Sequence, residues 1–490
     1  MTKPMPPTHS PPADQDAPLQ AGIDRPLRHP VLFFLTCGAA WLAFALVLGV
    51  LASVKVHNPE FLGDRACLTY GRVFPAHVNA LVYGWAMQAA FAVILWLVAR
   101  HAGGKCPDTI MVLTAGLLWN LGVALGIAGI LTGNGTGMPW MEFPSFVWPL
   151  MLGSYCVIVA GSFNQFRVRP QGRAAIAQWY IFAAIIWFPW IYTTANLLLH
   201  CLPGHPVMAA GINAWYKSAL VFLFFTPVAL GVAYDITSQV TGRQVASDAL
   251  AKLGFWSLAI IAPWAGMQKL AGTPVPYFLP YVGAAAAALL FIPACAAAIN
   301  TISMMRPYRK TLVANPTLQF ITAGITSLMV IAITAVVFHL PDSTLPLTQF
   351  SLAGYGFDVL ALYGFFSLVM FGATYFIVPR VTGREWLSRR LIHIHLLFSV
   401  YGMITICWAA LIGGFRQGMD QENWQLPWIG VATGANRYAM AITFAWCLIL
   451  FSNVFFFLHL ILMWRRRGRL GSHHAPGDPD PAIPDHAAKH

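Results

Sequence analysis

Hydrophobic residues in this chain come in long unbroken runs, not at alternate positions or along one stripe per helix. A run that is apolar all round and about 20 residues long matches the ~30 Å hydrocarbon layer of a bilayer at ~1.5 Å per helical residue. Laid along the chain, that length predicts about twelve transmembrane helices. They fall near 30–53, 74–99, 109–132, 144–166, 175–199, 212–234, 250–270, 277–303, 316–340, 348–378, 391–415 and 437–463. The polar breaks test the count. If the N-terminus is inside, the inner breaks hold Arg100 and Lys105; Arg167, Arg169 and Arg173; Arg306, Arg309 and Lys310; Arg380, Arg384, Arg389 and Arg390; and Arg465, Arg466, Arg467 and Arg469. The outer breaks hold chiefly Lys55, Arg65, Arg72, Lys269, Arg416 and Arg437. That positive-inside asymmetry predicts both termini in the cytoplasm. The pattern therefore divides the chain into a Pro-rich disordered tail over 1–28, an all-α membrane domain over 29–466, and a second disordered tail over 467–490.

Composition agrees: 58% of the 490 residues are hydrophobic and 9% charged, against roughly 45–50% and about 25% in a soluble domain. The net charge of +12 sits in the loop clusters and forms no single basic face, so the expected partner is membrane lipid and not nucleic acid. No Cys-x-x-Cys-His motif is present, which excludes a covalently attached c-type haem. Cys37, Cys156, Cys295, Cys407 and Cys447 fall inside apolar runs and read as small buried hydrophobes. Cys67 and Cys201 fall in outer loops, and whether they pair is left open by the sequence.

Few polar residues lie at membrane depth. Lys217 lies in the sixth span, where a lysine at a helix centre costs on the order of 2.5–3.5 kcal/mol to insert, so it needs a partner. Asp358 in the tenth span is the candidate counter-charge, as a structural ion pair or part of an ion pathway. Asn120, Asn196, Gln268 and Asn300 are expected to join helices by hydrogen bonds. His393 and His459 are expected near the inner interface, with His395 about one turn into the eleventh span. His77 stands out within Thr69–Trp85, where Pro75 opens an apolar helix and an imidazole follows it into the membrane. It reads either as a satisfied core histidine or as a haem or metal ligand.

That stretch, Thr-Tyr-Gly-Arg-Val-Phe-Pro-Ala-His-Val-Asn-Ala, resembles the second helix of subunit I of the haem-copper oxidases in their cbb(3)-type cytochrome c oxidase branch. Trp215-Tyr216-Lys217-Ser218-Ala219 resembles the sixth helix, Ile299-Asn300 the eighth, and Tyr375 to Arg380 the end of the tenth. His395 and Arg416-Gln417-Gly418-Met419 match the eleventh helix and the turn beyond it. The resemblance covers roughly residues 30 to 465 and implies that fold, two haems and a copper, c-type cytochrome partner subunits, oxygen reduction and proton pumping, and a bacterial inner membrane. Position by position, His77 matches the axial ligand of the low-spin haem. The helix-six copper ligand falls at Lys217, the helix-seven pair at about Trp264 and Ala265, the cross-linked tyrosine near Leu258, and the helix-ten haem ligands at Phe357 and Val359. None of these is an imidazole, and spans six, seven and ten contain no histidine. A protonated lysine only donates and cannot bind copper.

The expectation is a membrane subunit of a respiratory electron-transfer complex without the oxygen-reducing centre, carrying at most one b-type haem on His77 and no copper, with Lys217 and Asp358 paired at the vacated metal position. Two other readings stay open. One is a working terminal oxidase or nitric-oxide reductase with unconventional ligands, taking electrons from cytochrome c. The other is an ion or proton transporter that uses Lys217 and Asp358.

Overall fold

The computed structural model describes residues 16–102, 108–168, 175–201, 204–308 and 315–465. Those residues form an all-α bundle. Eleven helices are long and apolar enough to cross a membrane, and a shorter apolar helix in the fourth position completes the twelve expected segments. They are α1 (Asp16–His57), α2 (Tyr70–His101), α3 (Thr109–Thr132), α4 (Val147–Val168), α5 (Ile176–His200), α6 (Pro206–Thr241), α7 (Asp248–Leu270), α8 (Phe278–Met305), α9 (Pro316–Phe338), α10 (Leu352–Thr382), α11 (Arg389–Glu422) and α12 (Trp428–Arg465).

One boundary differs from the expectation. Helix α1 starts at Asp16 and runs through Pro26 and Pro30, so the second half of the expected N-terminal tail is helical. Asp24 explains why it is held. It is buried, accepts a hydrogen bond from Trp96 Nε1 at 3.1 Å, and lies 3.4 Å from Arg100. Burial raises its carboxyl above the usual range, and the Arg100 charge opposes that rise. Residues 1–15 and 466–490, most of the two proposed tails, lie outside the described residues, as do Lys105, Arg169, Arg173, Arg309 and Lys310.

The helices sort into an inner and an outer set. The apolar windows of α2 and α10 are 100% buried and that of α6 is 94% buried, whereas those of the other long helices are between 39% and 56% buried. A helix that is apolar all round belongs inside a large bundle, and these three are the centre. Each contains a π-helical segment, at Ala80–Ala86, Leu220–Phe225 and Leu360–Ser367. Around them α11 packs on α10 and α12, and α12 packs on α1. Helix α11 lies so close to the start of α10 and the short turn before it that a Cβ on Gly414 would lie 2.1 Å from the Ala353 nitrogen, and one on Gly418 would lie 1.7 Å from the Leu347 oxygen. No side chain fits there.

The cysteines are corrected in part. Cys156 and Cys447 are exposed, and Cys37, Cys295 and Cys407 are half-buried, so none of the five is fully enclosed in the core. Cys67 and Cys201 are both free and exposed.

Candidate functional site

The three central helices carry the three residues singled out in the sequence. Their π segments begin at Ala80, Leu220 and Leu360, within one turn of His77, Lys217 and Asp358 respectively. A π turn holds one extra residue, which re-aims the side chains on either side of it, and such turns concentrate at functional sites.

Lys217 and Asp358 meet. Lys217 Nζ and Asp358 Oδ2 form an ion pair across α6 and α10, with the two side chains 16% and 25% exposed. The ammonium also lies 5.3 Å from the centroid of the Trp140 ring, within cation–π range. Trp140 belongs to the α3–α4 loop and has φ +68°, a left-handed conformation that costs a bulky residue roughly 1–3 kcal/mol. It is held by its surroundings: Tyr83 Oη donates to the Trp140 carbonyl at 2.7 Å, and Asn213 Nδ2 donates to the Pro139 carbonyl at 2.9 Å. Tyr83 Oη also meets Tyr216 Oη at 2.6 Å, so α2, the loop and α6 are locked together beside the ion pair.

The loop contributes an acid that the sequence reading passed over. Glu142 is buried and accepts a hydrogen bond from Asn79 Nδ2 at 2.5 Å, two residues along α2 from His77. Burial pushes its carboxyl up to about 7, against the pull of the Asn79 bond and of the Lys217 charge. A second addition is Lys269. The loop pattern placed it among the outer positive charges, but its ammonium stands beside Lys217 and close to Asp358. His339, at the end of α9, stacks on Phe357 at 5.0 Å, near Lys269. The cluster is thus Lys217, Lys269, Asp358, Glu142 and His339: two lysines side by side, two acids and an imidazole.

His77 is presented differently. Its Nδ1 donates to the Ala45 carbonyl at 2.6 Å, which fixes the tautomer and leaves Nε2 as the acceptor, the arrangement typical of a metal-bound imidazole. Gly49 on α1 makes room for the ring, since a Cβ there would lie 2.7 Å from Cε1. The surroundings, however, are closed. His77 is 2% exposed, with Trp446 packed edge-on at 5.1 Å and itself fixed by a 2.6 Å bond from Nε1 to Tyr355 Oη. A porphyrin needs an open slab on the Nε2 side, and a second axial donor from α10. Here Phe357 and Val359 stand at the matched positions. The residues present do not fit a haem in this packing. The copper positions fit no better, with Lys217 in an ion pair, Trp264 57% exposed and Ala265 and Leu258 buried and apolar. Among the described residues no three His, Cys, Asp or Glu side chains converge as a metal-binding group.

The other polar residues divide. Asn120 joins α3 to α1 and α2 through Trp41 and Gln88, and Asn300 joins α8 to the start of α7 through Ser247. Asn196 bonds back within its own helix, and Gln268 caps Gly266 locally, so among the described residues neither makes an interhelical side-chain bond. His393 is exposed, as expected. His395 is fully buried with Nδ1 2.9 Å from Tyr375 Oη. His459 is also fully buried, not interfacial: it packs on Trp386 at 5.6 Å, and neither ring nitrogen has a hydrogen-bond partner among the described residues.

Comparison with known proteins agrees with this architecture. The family model described as cytochrome c and quinol oxidase polypeptide I matches residues 29–453. The cbb3-type cytochrome c oxidase subunit CcoN1 of Stutzerimonas stutzeri is 23% identical, covering 79% of this chain and 83% of that protein. Cytochrome c oxidase subunit 1 of Rhodobacter capsulatus is 21% identical over 81% of this chain and 76% of its own. A solved haem-copper terminal oxidase dimer superposes with a TM-score of 0.66 at 16% identity, covering 93% of this chain and 88% of that one, a likeness of fold. A family match over residues 29–453, which takes in all three central helices, makes this chain a member of the cytochrome c and quinol oxidase polypeptide I family.

Proposed function

We propose that this protein is a non-catalytic subunit-I-like component of a bacterial respiratory electron-transfer complex, in which an ion pair has replaced the oxygen-reducing metal centre. The observation that carries the reading is the Lys217–Asp358 pair, formed by residues at or beside positions matched to copper and haem ligands. A bound metal cation balances nearby anionic groups; in its place Lys217 supplies one positive charge and Asp358 one negative charge, each neutralising the other within the bundle. The residues around them hold the helices in register. Tyr83, Tyr216 and Asn213 pin the loop that carries Trp140 and Glu142, and Trp446 closes over His77. A b-type haem on His77, at most one per chain, requires Trp446 to swing aside, and copper has no donor set.

The reading includes docking to c-type cytochrome subunits, with the chain inserted in the bacterial inner membrane and both termini cytoplasmic. The test is spectroscopic and enzymatic. Purified full-length protein, reduced with dithionite, is expected to give no signal from a high-spin haem that binds carbon monoxide, and no oxygen uptake with reduced cytochrome c. Carbon-monoxide-sensitive oxygen uptake at rates above a Lys217→Met control sinks the proposal.

A further inference from the structure

We infer that the crevice around Lys217 and Lys269 binds a small oxyanion, a carboxylate or phosphate group, bridged between the two ammonium groups. The inference rests on the reading above that no metal occupies this position. Its first support is charge. Two lysines share one carboxylate, Asp358, which Lys217 already engages. Glu142 faces the same side from the α3–α4 loop but is committed to Asn79. His339 and Tyr355 flank the cluster from α9 and α10, and neither adds an anion as a neutral group. Among the described residues Lys269 thus forms no ion pair of its own, in a region where an incompletely balanced charge is costly.

The second support is the way Lys269 is held. The regular part of α7 stops at Ile261, just before Pro263, and the chain turns at Gly266 with φ +104°, a conformation suited to glycine, before a short 3-10 turn, Met267–Leu270, carries Lys269 back towards α6. Gln268 Oε1 accepts from the Gly266 nitrogen at 2.8 Å, and Gln349 Nε2 donates to the Lys269 and Ala271 carbonyls at 2.8 and 3.2 Å. Gly283 of α8 approaches so closely that a Cβ there would lie 2.2 Å from the Gln268 nitrogen. Four separate devices thus fix the backbone that aims Lys269 at a charge of its own sign. A surface lysine needs none of them.

The third support is access. Lys269 is solvent-accessible even though it is packed among α6, α9 and α10, and Lys217 and Asp358 are part-exposed, so the cluster is not sealed from small solutes. A lysine offers three donors and no acceptor, and two of them side by side suit an oxygen-rich anion. Trp140, 5.3 Å from Lys217, is a built-in reporter.

The experiment uses full-length protein in detergent, titrated with sodium acetate or sodium phosphate at constant ionic strength against chloride, reading tryptophan fluorescence and thermal unfolding. Saturable quenching and stabilisation by acetate or phosphate are expected, and the two titrations tell which oxyanion is preferred. Lys269→Met is expected to weaken binding by about tenfold or more, the loss of a charge-assisted contact, while Lys269→Arg retains it. Without added anion, Lys269→Met is expected to melt higher than wild type, because a like-charge contact has gone, so loss of response is not loss of fold. A response to neither anion, or one that Lys269→Met leaves unchanged, overturns the inference. Iron and copper measured on the same samples separate the two claims: bound metal defeats the proposed function, whereas a missing anion response in metal-free protein defeats only this inference.

Discussion

Removing one partner of the Lys217–Asp358 pair tests whether charge balance holds the centre of the bundle together. Breaking a buried pair costs about 3–5 kcal/mol when the surviving charge has nowhere to go. The two partners here are not equivalent, because Lys269 stands beside them. Lys217→Met leaves Asp358 with Lys269 as a substitute, and the expected cost is about 1–2 kcal/mol, that of a partly exposed pair re-formed in poorer geometry. Asp358→Asn leaves two ammonium groups facing each other without a carboxylate, and the expected cost is about 3 kcal/mol. In the double variant only Lys269 remains charged, so it should be more stable than Asp358→Asn alone. Chemical denaturation of the purified protein in mixed micelles, followed by tryptophan fluorescence, measures all four corners of the cycle. If the two single effects simply add in the double variant, or if Lys217→Met costs more than Asp358→Asn, the three-charge account is wrong.

Three further outcomes follow from the geometry. Glu142, with its carboxyl raised to about 7, is favoured in its neutral form by folding, so its contribution is complete below the unfolded value of 4.5 and is lost as pH rises through about 7. The shift of roughly 2.5 units is worth about 3 kcal/mol at most, and Glu142→Gln, which keeps an acceptor for Asn79, should flatten the stability–pH curve over that window. Gly418→Ala should abolish accumulation of folded protein, because its Cβ would collide with the Leu347 carbonyl at 1.7 Å; normal yield and melting would contradict the close α11 contact. Trp446→Ala should open the wall beside His77, so haem added during expression should give a Soret band in this variant that His77→Ala removes; equal haem uptake by wild type would mean that the site is not closed.

The sequence made the bundle legible because hydrocarbon thickness sets helix length almost independently of packing, and the shorter fourth helix still carried enough apolar residues to be counted. The Lys217–Asp358 pairing was legible for a related reason: a charge inside a bilayer has few partners to choose from. Lys269 was not, since a lysine near the end of a span reads as a loop charge, and only the turn at Pro263 and Gly266 sends it back inward. Gly266 beside Pro263 was the available signal. Glu142 was hidden in the same way by a loop that folds into the bundle around a strained Trp140. His459 was misplaced because distance from the helix end says how deep a residue lies but not which face it is on. The start of α1 was missed because Pro26 and Pro30 look like breakers, while the Asp24 contacts that hold that turn come from α2, far along the chain.

The central claim is that the bundle has exchanged its metal centre for a charge pair. Iron and copper, quantified per polypeptide together with a pyridine haemochrome spectrum on the full-length protein purified from haem- and copper-replete membranes, test it directly. The account predicts no copper and at most one haem, which disappears in His77→Ala; stoichiometric copper accompanied by two haems would contradict it.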